Sequence, residues 1–199
     1  MNIAILTFDG FNELDSFIAF GIINRMKSEG WNVQITCPTS QVTSMNGITI
    51  DAQQDLEFAN TADAVIFGSG MMTRNIAKDE SLLARLKLKS DKQLIAAQCS
   101  GTLLLATLGL LNKVPACTDL ISKPWVIEAG VEVLNQPFVA HKNIATAGGC
   151  LASQYLATWI LLKLAGTAAT KSAIHYVAPV GEKEATIAHN FSVVEPFLL

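Results

Sequence analysis

Short apolar segments of strand length alternate along this chain with segments of helical hydrophobic spacing, and this alternation restricts the possible folds most strongly. The pattern predicts strands at residues 3–8, 33–37, 64–67 and 93–97, and helices at residues 14–28 and 101–111. Strands that are apolar almost throughout belong to a sheet that is covered on both faces. The sequence therefore predicts an α/β fold with a mostly parallel central sheet between two helical layers, in a flavodoxin-like three-layer arrangement.

Weaker patterns predict the remaining elements. Helices are expected at residues 82–88, 125–129 and 151–164, and strands at residues 48–51, 138–140 and 144–147. The Asn46-Gly47 pair before the first of these strands is a strong hairpin signal. No internal repeat or linker-like segment interrupts the sequence. We therefore expect residues 1–199 to form a single domain.

The composition excludes several classes of partner. The formal net charge is −3, so the chain lacks the excess of basic residues that binds nucleic acids and anionic membranes. The longest apolar segments, residues 102–111 and 155–162, are far shorter than the roughly 20 residues of a membrane span. Hydrophobic residues make up 50% of the chain and charged residues 16%. This apolar balance favours a homodimer whose interface covers part of the apolar surface.

Cysteine usage indicates a reducing compartment. The cysteines show no C-x-x-C spacing, and together with the three histidines they form no zinc-ligand pattern along the sequence. We therefore expect neither a metal site nor a cofactor. Unpaired cysteines, and an N-terminus that opens directly on a predicted strand, favour a cytoplasmic protein without a signal peptide.

Cys99 stands where a predicted strand ends and a predicted helix begins. This order of strand, turn and helix is the layout of a nucleophile elbow, whose sharp turn carries one side chain into a pocket. The small residues Ala97 and Gly101 suit such a turn, and a helix N-terminus favours the thiolate over the thiol. The alternative is an inert cysteine buried between two core elements.

Two other predicted strand ends carry candidate site residues. Gly10 and Phe11 follow the first strand, with Asp15 close behind, and Gly68-Ser69-Gly70 follows the strand at residues 64–67. Ligands of parallel sheets bind at the carboxyl ends of the strands. We therefore expect these residues and Cys99 to converge on one crevice that takes a small-molecule substrate.

Asp15 lies among apolar side chains of the first predicted helix, including Leu14, Phe17 and Ile18. A carboxyl group desolvated by such neighbours has a raised pKa and holds a proton at neutral pH. Next to Cys99 it can then act as a general acid. The alternative is a solvated carboxylate in the first turn of an amphipathic helix.

Several segments in this order match a known family. They are Asp9-Gly10-Phe11 with Leu14-Asp15, residues 64–70, Ala97-Gln98-Cys99-Ser100-Gly101, residues 108–112, residues 145–149, and Ile174-His175-Tyr176. Over nearly its whole length the chain resembles the ThiJ/PfpI family of the class I glutamine amidotransferase-like superfamily. Asp15 and the Ala147-Gly148-Gly149 turn make it most similar to isonitrile hydratases and to the ligand-binding halves of AraC-type regulators.

The resemblance implies roles for particular residues. Cys99 is implied as the nucleophile, Asp15 as its partner, and Ser100 as the hydroxyl residue that such hydratases carry after the cysteine. Backbone N–H groups near Ser69, Gly70 and Ser100 are implied as oxyanion-hole donors. Further candidates for lining the pocket are Gly10, Phe11, Asp119, Gly148 and, at its mouth, Trp125.

Asp119 stands where many members of the family have a histidine that pairs with the cysteine. An aspartate there would raise the thiol pKa if the two side chains approach each other, which disfavours protease or amidase activity. Glyoxalase or deglycase activity is also disfavoured, because those relatives generally keep the histidine and a glutamate in the first helix. The alternative for Asp119 is a helix N-cap.

Two classes of function remain open. In the first, Cys99 attacks an isonitrile carbon, Asp15 supplies the proton, and water releases an N-substituted formamide from a thioimidate. In the second, the domain is a ligand-binding or redox-sensing module whose cysteine oxidises. Cys150, which follows the Gly148-Gly149 turn, is expected to be structural, with a reactive thiol as the alternative.

Overall fold

The computed structural model describes residues 1–198. Its strands are β1 (Asn2–Leu6), β2 (Asn32–Cys37), β3 (Gln41–Thr43), β4 (Thr49–Asp51), β5 (Gln54–Asp55), β6 (Ala64–Phe67), β7 (Leu94–Gln98), β8 (Phe138–His141) and β9 (Ile144–Ala147). Its α-helices are α1 (Glu13–Ile23), α2 (Thr73–Ile76), α3 (Glu80–Leu83), α4 (Gly101–Thr107), α5 (Lys123–Glu128), α6 (Ser153–Leu164), α7 (Gly166–Val177) and α8 (Lys183–Val194).

The main sheet has the strand order β5-β2-β1-β6-β7-β9-β8. All neighbouring pairs are parallel except β8 and β9. The strands β3 and β4 form a separate antiparallel hairpin, with Asn46 and Gly47 in its turn. The carboxyl ends of β1, β6, β7 and β9 therefore meet at one edge of the sheet.

Alternating side chains of the central strands enter two cores. Ile3 and Ile5 of β1 point into one core, which α1, α6, α7 and α8 cover. Ala4 and Leu6 point into the other core, which includes residues of α3, α4 and α5. This period of two buries both faces of the sheet. The predicted α/β fold with helical layers on both faces is confirmed.

Two long helices escape sequence-based prediction. In α8 the buried side chains are Ile187, Asn190, Phe191 and Val194, a narrow stripe at helical spacing in an otherwise polar segment. In α7 the buried residues are Thr170, Ala173 and Ile174, which are mostly small or polar. Both segments are less hydrophobic overall than α1 and α6, so neither stands out as an apolar run.

Several predicted helices are shorter than expected. The segment at residues 14–28 ends as α1 at Ile23 and continues as a 3₁₀ turn, Asn24–Glu29. The segment at residues 101–111 ends at Thr107, shortly before Gly109 adopts a φ of 72°. The segment at residues 82–88 is helical only to Leu83. Within residues 1–198, no helix is long and apolar enough to cross a membrane.

Candidate active site

Cys99 occupies a strained turn between β7 and α4. Its φ angle is 47°, in a left-handed region that residues with a Cβ atom rarely adopt. The Cys99 N–H donates to the Ala147 carbonyl at 2.8 Å, and Thr118 Oγ1 donates to the Cys99 carbonyl at 2.7 Å. These bonds hold the strained residue at the sheet edge. The predicted strand–turn–helix geometry around Cys99 is therefore present.

The turn also depends on glycine at position 101. A Cβ atom there would lie 2.7 Å from the Gly68 carbonyl oxygen and 2.8 Å from that of Phe67. The loop after β6 thus packs directly against the Cys99 turn. The same loop contacts the end of β1, because the backbone of Gly70 bridges to Phe11. The structure brings these three strand ends together.

Asp15 reaches the same place from α1 and is fully buried. Ser69 Oγ donates to its Oδ2, whereas its Oδ1 is buried without a hydrogen-bond partner. Burial raises the pKa of the Asp15 carboxyl group, and the Ser69 hydrogen bond offsets only part of this effect. The shift has the direction expected from the apolar neighbours of Asp15, and the carboxyl group holds its proton more tightly than an exposed aspartate does.

One carboxyl group and two thiols converge at this point. A carboxylate oxygen of Asp15 and the sulfur atoms of Cys99 and Cys150 all lie within 4.8 Å of one another. Side-chain amides approach both sulfurs: Gln98 Nε2 donates to Cys99 Sγ at 3.4 Å, and Asn12 Nδ2 donates to Cys150 Sγ at 3.3 Å. The site is therefore a Cys–Asp–Cys cluster rather than an isolated thiol.

The protonation of Cys99 differs from the expectation. The position at the start of α4 predicts a thiolate, but burial and the negative charge of Asp15 raise the pKa of the thiol far above its ordinary value. A weaker contribution in the same direction comes from Asp119. Desolvation outweighs the effect of the short helix, so Cys99 rests as a thiol.

Ser100 points toward the loop after β6. The Gly70 N–H donates to Ser100 Oγ at 3.2 Å, and Ser100 Oγ also forms a hydrogen bond of 2.8 Å with Thr73 Oγ1. The Gly70 N–H, a candidate oxyanion donor, is therefore already bonded within the protein. Ser69 uses its hydroxyl group on Asp15.

A model of the DJ-1/PfpI family matches residues 1–163 of this chain. The chain belongs to the DJ-1/PfpI family. No curated protein matches its sequence. Membership agrees with the expected resemblance and with the position of Cys99 at the end of a central parallel strand.

Solved structures of the DJ-1/PfpI superfamily share the fold at low sequence identity. DJ-1 from Schizosaccharomyces pombe is 17% identical with a TM-score of 0.75, over 90% of this chain and 100% of that one. A ThiJ/PfpI family protein from Pseudomonas syringae is 18% identical with a TM-score of 0.73, over 98% and 87%. A DJ-1 superfamily protein from Salmonella typhimurium is 19% identical with a TM-score of 0.74, over 88% and 97%.

Asp119 caps a turn in this member of the DJ-1/PfpI family. Its Oδ1 accepts hydrogen bonds of 2.9 Å from the N–H groups of Ile121 and Ser122, just before α5. Asp119 thus caps the turn before α5, whose own N-cap residue is Ser122, and not a helix as considered from the sequence. Its charge also raises the pKa of both Asp15 and Cys99. Asp119 therefore acts on the site through its electric field.

The remaining pocket candidates lie at different distances from the cluster. Gly10 and Phe11 form the loop that contacts Gly70, and the Gly148 N–H donates to the Pro137 carbonyl. Trp125 lies elsewhere, under the Arg74 guanidinium group at 5.0 Å from its ring centre. Trp125 lines a shallow cleft with Lys78 and Glu128 that contains none of the three cluster residues.

The sequence interpretation missed three members of the site or assigned them no role in it. Asn12 shows only a helix-capping signal, and it does cap α1 by accepting from the Leu14 N–H. Gln98 belongs to the segment around Cys99 that resembles the family but carries no signal of its own. Cys150 lies 51 positions after Cys99, and only the pairing of β7 with β9 brings the two together.

Proposed function

We propose that Cys99 and Asp15 carry out covalent catalysis on a small electrophilic substrate, and that the substrate class is an isonitrile. The observation that carries the proposal is the fully buried Asp15 carboxyl group, with its raised pKa, beside the Cys99 thiol. A protonated acid next to a nucleophile is what addition to an isonitrile carbon requires.

In the addition step, Asp15 donates one proton and receives another from Cys99. Asp15 gives its proton to the isonitrile carbon as Cys99 Sγ forms a bond to that carbon, and the thiol proton passes to the Asp15 carboxylate. The product is a thioimidate, Cys99–S–CH=N–R. Because Cys99 is a thiol at rest, Asp15 must accept its proton in the same step that it donates its own.

Hydrolysis then restores the enzyme. Water adds to the thioimidate carbon, the C–S bond breaks, and the sulfur recovers a proton. The product is an N-substituted formamide, so the sum of both steps is the addition of one water molecule to the isonitrile. Attack of the sulfur on the isonitrile carbon creates no oxyanion. The internal bond of the Gly70 N–H to Ser100 is therefore compatible with this chemistry, whereas acyl transfer needs such donors free.

The non-enzymatic alternative separates into two parts. The burial of the Cys99 thiol, which is 4% exposed, and its raised pKa oppose peroxide sensing and nucleophilic attack alike, so these properties do not separate the two functions. A ligand-binding regulatory module needs no turnover and stands as the alternative outcome of the test below.

The test is a steady-state assay of formamide production from aryl and alkyl isonitriles. We expect activity in the wild type, none in Cys99→Ala, and a loss of about 10²–10⁴-fold in Asp15→Asn, the contribution typical of general acid–base catalysis. Cys37→Ala removes a buried thiol outside the cluster and serves as the matched control. Isonitrile binding without turnover in the wild type would support the ligand-binding alternative instead.

We further propose that the chain forms a homodimer in the cytoplasm. Several large apolar side chains are exposed near the groove between α1 and the start of α6, among them Phe17, Leu151 and Tyr176. Exposed apolar patches of this kind mark interaction surfaces. The four cysteines are free, which is compatible with a reducing compartment.

A further inference from the structure

The cluster of Asp15, Cys99 and Cys150 has a second chemical capacity that nucleophilic catalysis does not use. We propose that these three side chains form a site for a thiophilic divalent cation, with Zn²⁺ as the representative ion. The site would supply two sulfur ligands and one carboxylate oxygen and leave a fourth position open. The sequence predicts no metal site, because its cysteines are widely spaced and only the fold brings two of them together.

The geometry suits a zinc ion. Zinc takes sulfur ligands at about 2.3 Å and carboxylate oxygens at about 2.0–2.2 Å, so ligand atoms of a tetrahedral site lie roughly 3.3–3.9 Å apart. The three potential ligand atoms here lie within 4.8 Å of one another. Small side-chain rotations would bring them to coordinating distance. Cys150 is the first residue of a short 3₁₀ helix, Cys150–Ala152, and follows Gly149, whose φ is 93°.

One oxygen of the Asp15 carboxyl group, which belongs to the cluster, has no hydrogen-bond partner. Asp15 is fully buried, and its Oδ1 has no hydrogen-bond partner. Leaving a buried acceptor of this kind unsatisfied costs about 1–3 kcal/mol. A cation between the carboxylate and the two sulfurs would satisfy this oxygen.

The charges around the cluster also favour a cation. The charged groups that act on the pKa of Asp15, Cys99 and Cys150 are all aspartates. In residues 1–198 the structure contains one ion pair between side chains, Arg85 with Glu57, and it lies outside the cluster. No basic side chain of these residues therefore neutralises Asp15.

Two amide groups provide the outer support that metal-thiolate sites require. Gln98 and Asn12 each donate an N–H group to one of the sulfurs, at 3.4 Å and 3.3 Å. Gln98 is fixed by a second bond of 2.7 Å to the Gly149 carbonyl. Donors to the sulfur atoms stabilise thiolate ligands and orient them.

Zinc binding has a consequence for Cys99. A sulfur atom that is coordinated to the ion cannot attack a substrate, so the ion would hold the enzyme in a silent form. This consequence rests on the proposed catalytic function, whereas binding of the ion does not. Removal of the ion by a chelator would return Cys99 to its thiol form and restore activity.

Titration of the reduced protein with Zn²⁺, followed by calorimetry, tests the site, and Cd²⁺ serves as an optical probe of cadmium–thiolate bonds. We expect one ion per chain and a thiolate-to-metal absorption band. Cys150→Ser and Asp15→Asn should each weaken binding at least about 10-fold, the smallest loss typical even of outer-shell changes. Cys37→Ala, which removes a thiol outside the cluster, should bind like the wild type.

These experiments distinguish failure of the metal-site proposal from failure of the catalytic proposal. Absence of saturable binding in the wild type, or equal affinity in Cys150→Ser and Cys37→Ala, would overturn the metal site whatever the result of the isonitrile assay. If one variant unfolds, as judged by thermal melting, the other decides. Metal binding together with no formamide production by the metal-free wild type would instead refute the catalytic proposal alone.

Discussion

At the scale of single residues, the site is defined by two groups that hold their protons more tightly than usual. Burial raises the pKa of Asp15, and burial together with Asp15 raises that of Cys99. In a Cys–His pair the histidine takes the thiol proton and stabilises the thiolate. Here the pair has no such base, so the reaction must move both protons in concert with the formation of the C–S bond.

The first prediction concerns stability against pH. The ordinary pKa of Asp15 is 3.8, and its pKa in the folded chain is higher. Between these two pH values, the native chain keeps a proton on Asp15 that the unfolded chain has released. The free energy of unfolding should therefore fall as the pH rises through this window. Asp15→Asn should remove this pH dependence. Above the pH window the variant should be more stable than the wild type, by about 1.4 kcal/mol for each tenfold difference in the proton affinity of Asp15 between the folded and unfolded chains. Urea unfolding at several pH values measures this, and parallel curves for the two proteins would contradict it.

The second prediction concerns the reactivity of Cys99. Its thiolate fraction at neutral pH is very small, so alkylation by iodoacetamide should be slower than that of a free cysteine. Asp15→Asn removes a carboxyl group whose ionised form opposes ionisation of the thiol, and it should increase the rate about tenfold for each pKa unit recovered. Peptide mass mapping of the Cys99 peptide gives the rate. A wild-type Cys99 that reacts faster than the Asp15→Asn variant would refute this account.

At the scale of elements, the site depends on the close packing of loops that follow neighbouring strands. The end of β7 meets the loop after β6 through Gly101, and that loop meets the end of β1 through Gly70. Parallel pairing in the order β1-β6-β7 places these loops side by side. The geometry of Cys99 is therefore a property of the sheet as much as of its own turn.

The third prediction tests this packing with a methyl group. Gly101→Ala would place a Cβ atom 2.7–2.8 Å from two carbonyl oxygens and should destabilise the protein by about 1–3 kcal/mol, as overpacking does. Gly21→Ala is the control, because a Cβ atom there meets nothing within 4 Å in the middle of α1. That change should be neutral or stabilising, by up to about 1 kcal/mol. Equal destabilisation of both variants in urea would contradict the packing argument.

Strong local patterns were sufficient to predict some elements and not others. The strands β6 and β9 begin and end where their apolar patterns do, because each is a short buried run. The helices α7 and α8 bury only narrow stripes and have no comparable signal. The convergence of Asp15 and Cys99 followed from parallel topology and the family resemblance. Cys150 joined them unpredicted, because the order of strands cannot be derived from local sequence.

At the scale of the whole molecule, apolar surface remains after both cores are filled. The groove beside α1 is lined by Phe17, Ile18, Leu151 and Tyr176, and Leu151 and Tyr176 are more than 65% exposed. A second copy of the chain would cover this surface near the end of α1 that carries Asp15. Dimer formation would then also shield the site from water.

The fourth prediction is that light scattering after size-exclusion chromatography gives the mass of a dimer. Leu151→Lys places a charge in the apolar groove and should shift the population to monomers. Ile127→Lys, at another exposed apolar side chain, on α5 in the opposite helical layer, should leave the dimer intact. A monomeric wild type, or identical behaviour of the two variants, would rule out this interface.

The central claim is that Cys99 forms a covalent bond to the substrate carbon with Asp15 as the acid. Intact mass spectrometry of the wild type, quenched by acid during turnover of an aryl isonitrile, tests it most directly. The account predicts an adduct equal to the mass of the isonitrile, located on the Cys99 peptide, absent in Cys99→Ala and strongly reduced in Asp15→Asn. Formamide production without this adduct, or an adduct on another cysteine, would contradict it.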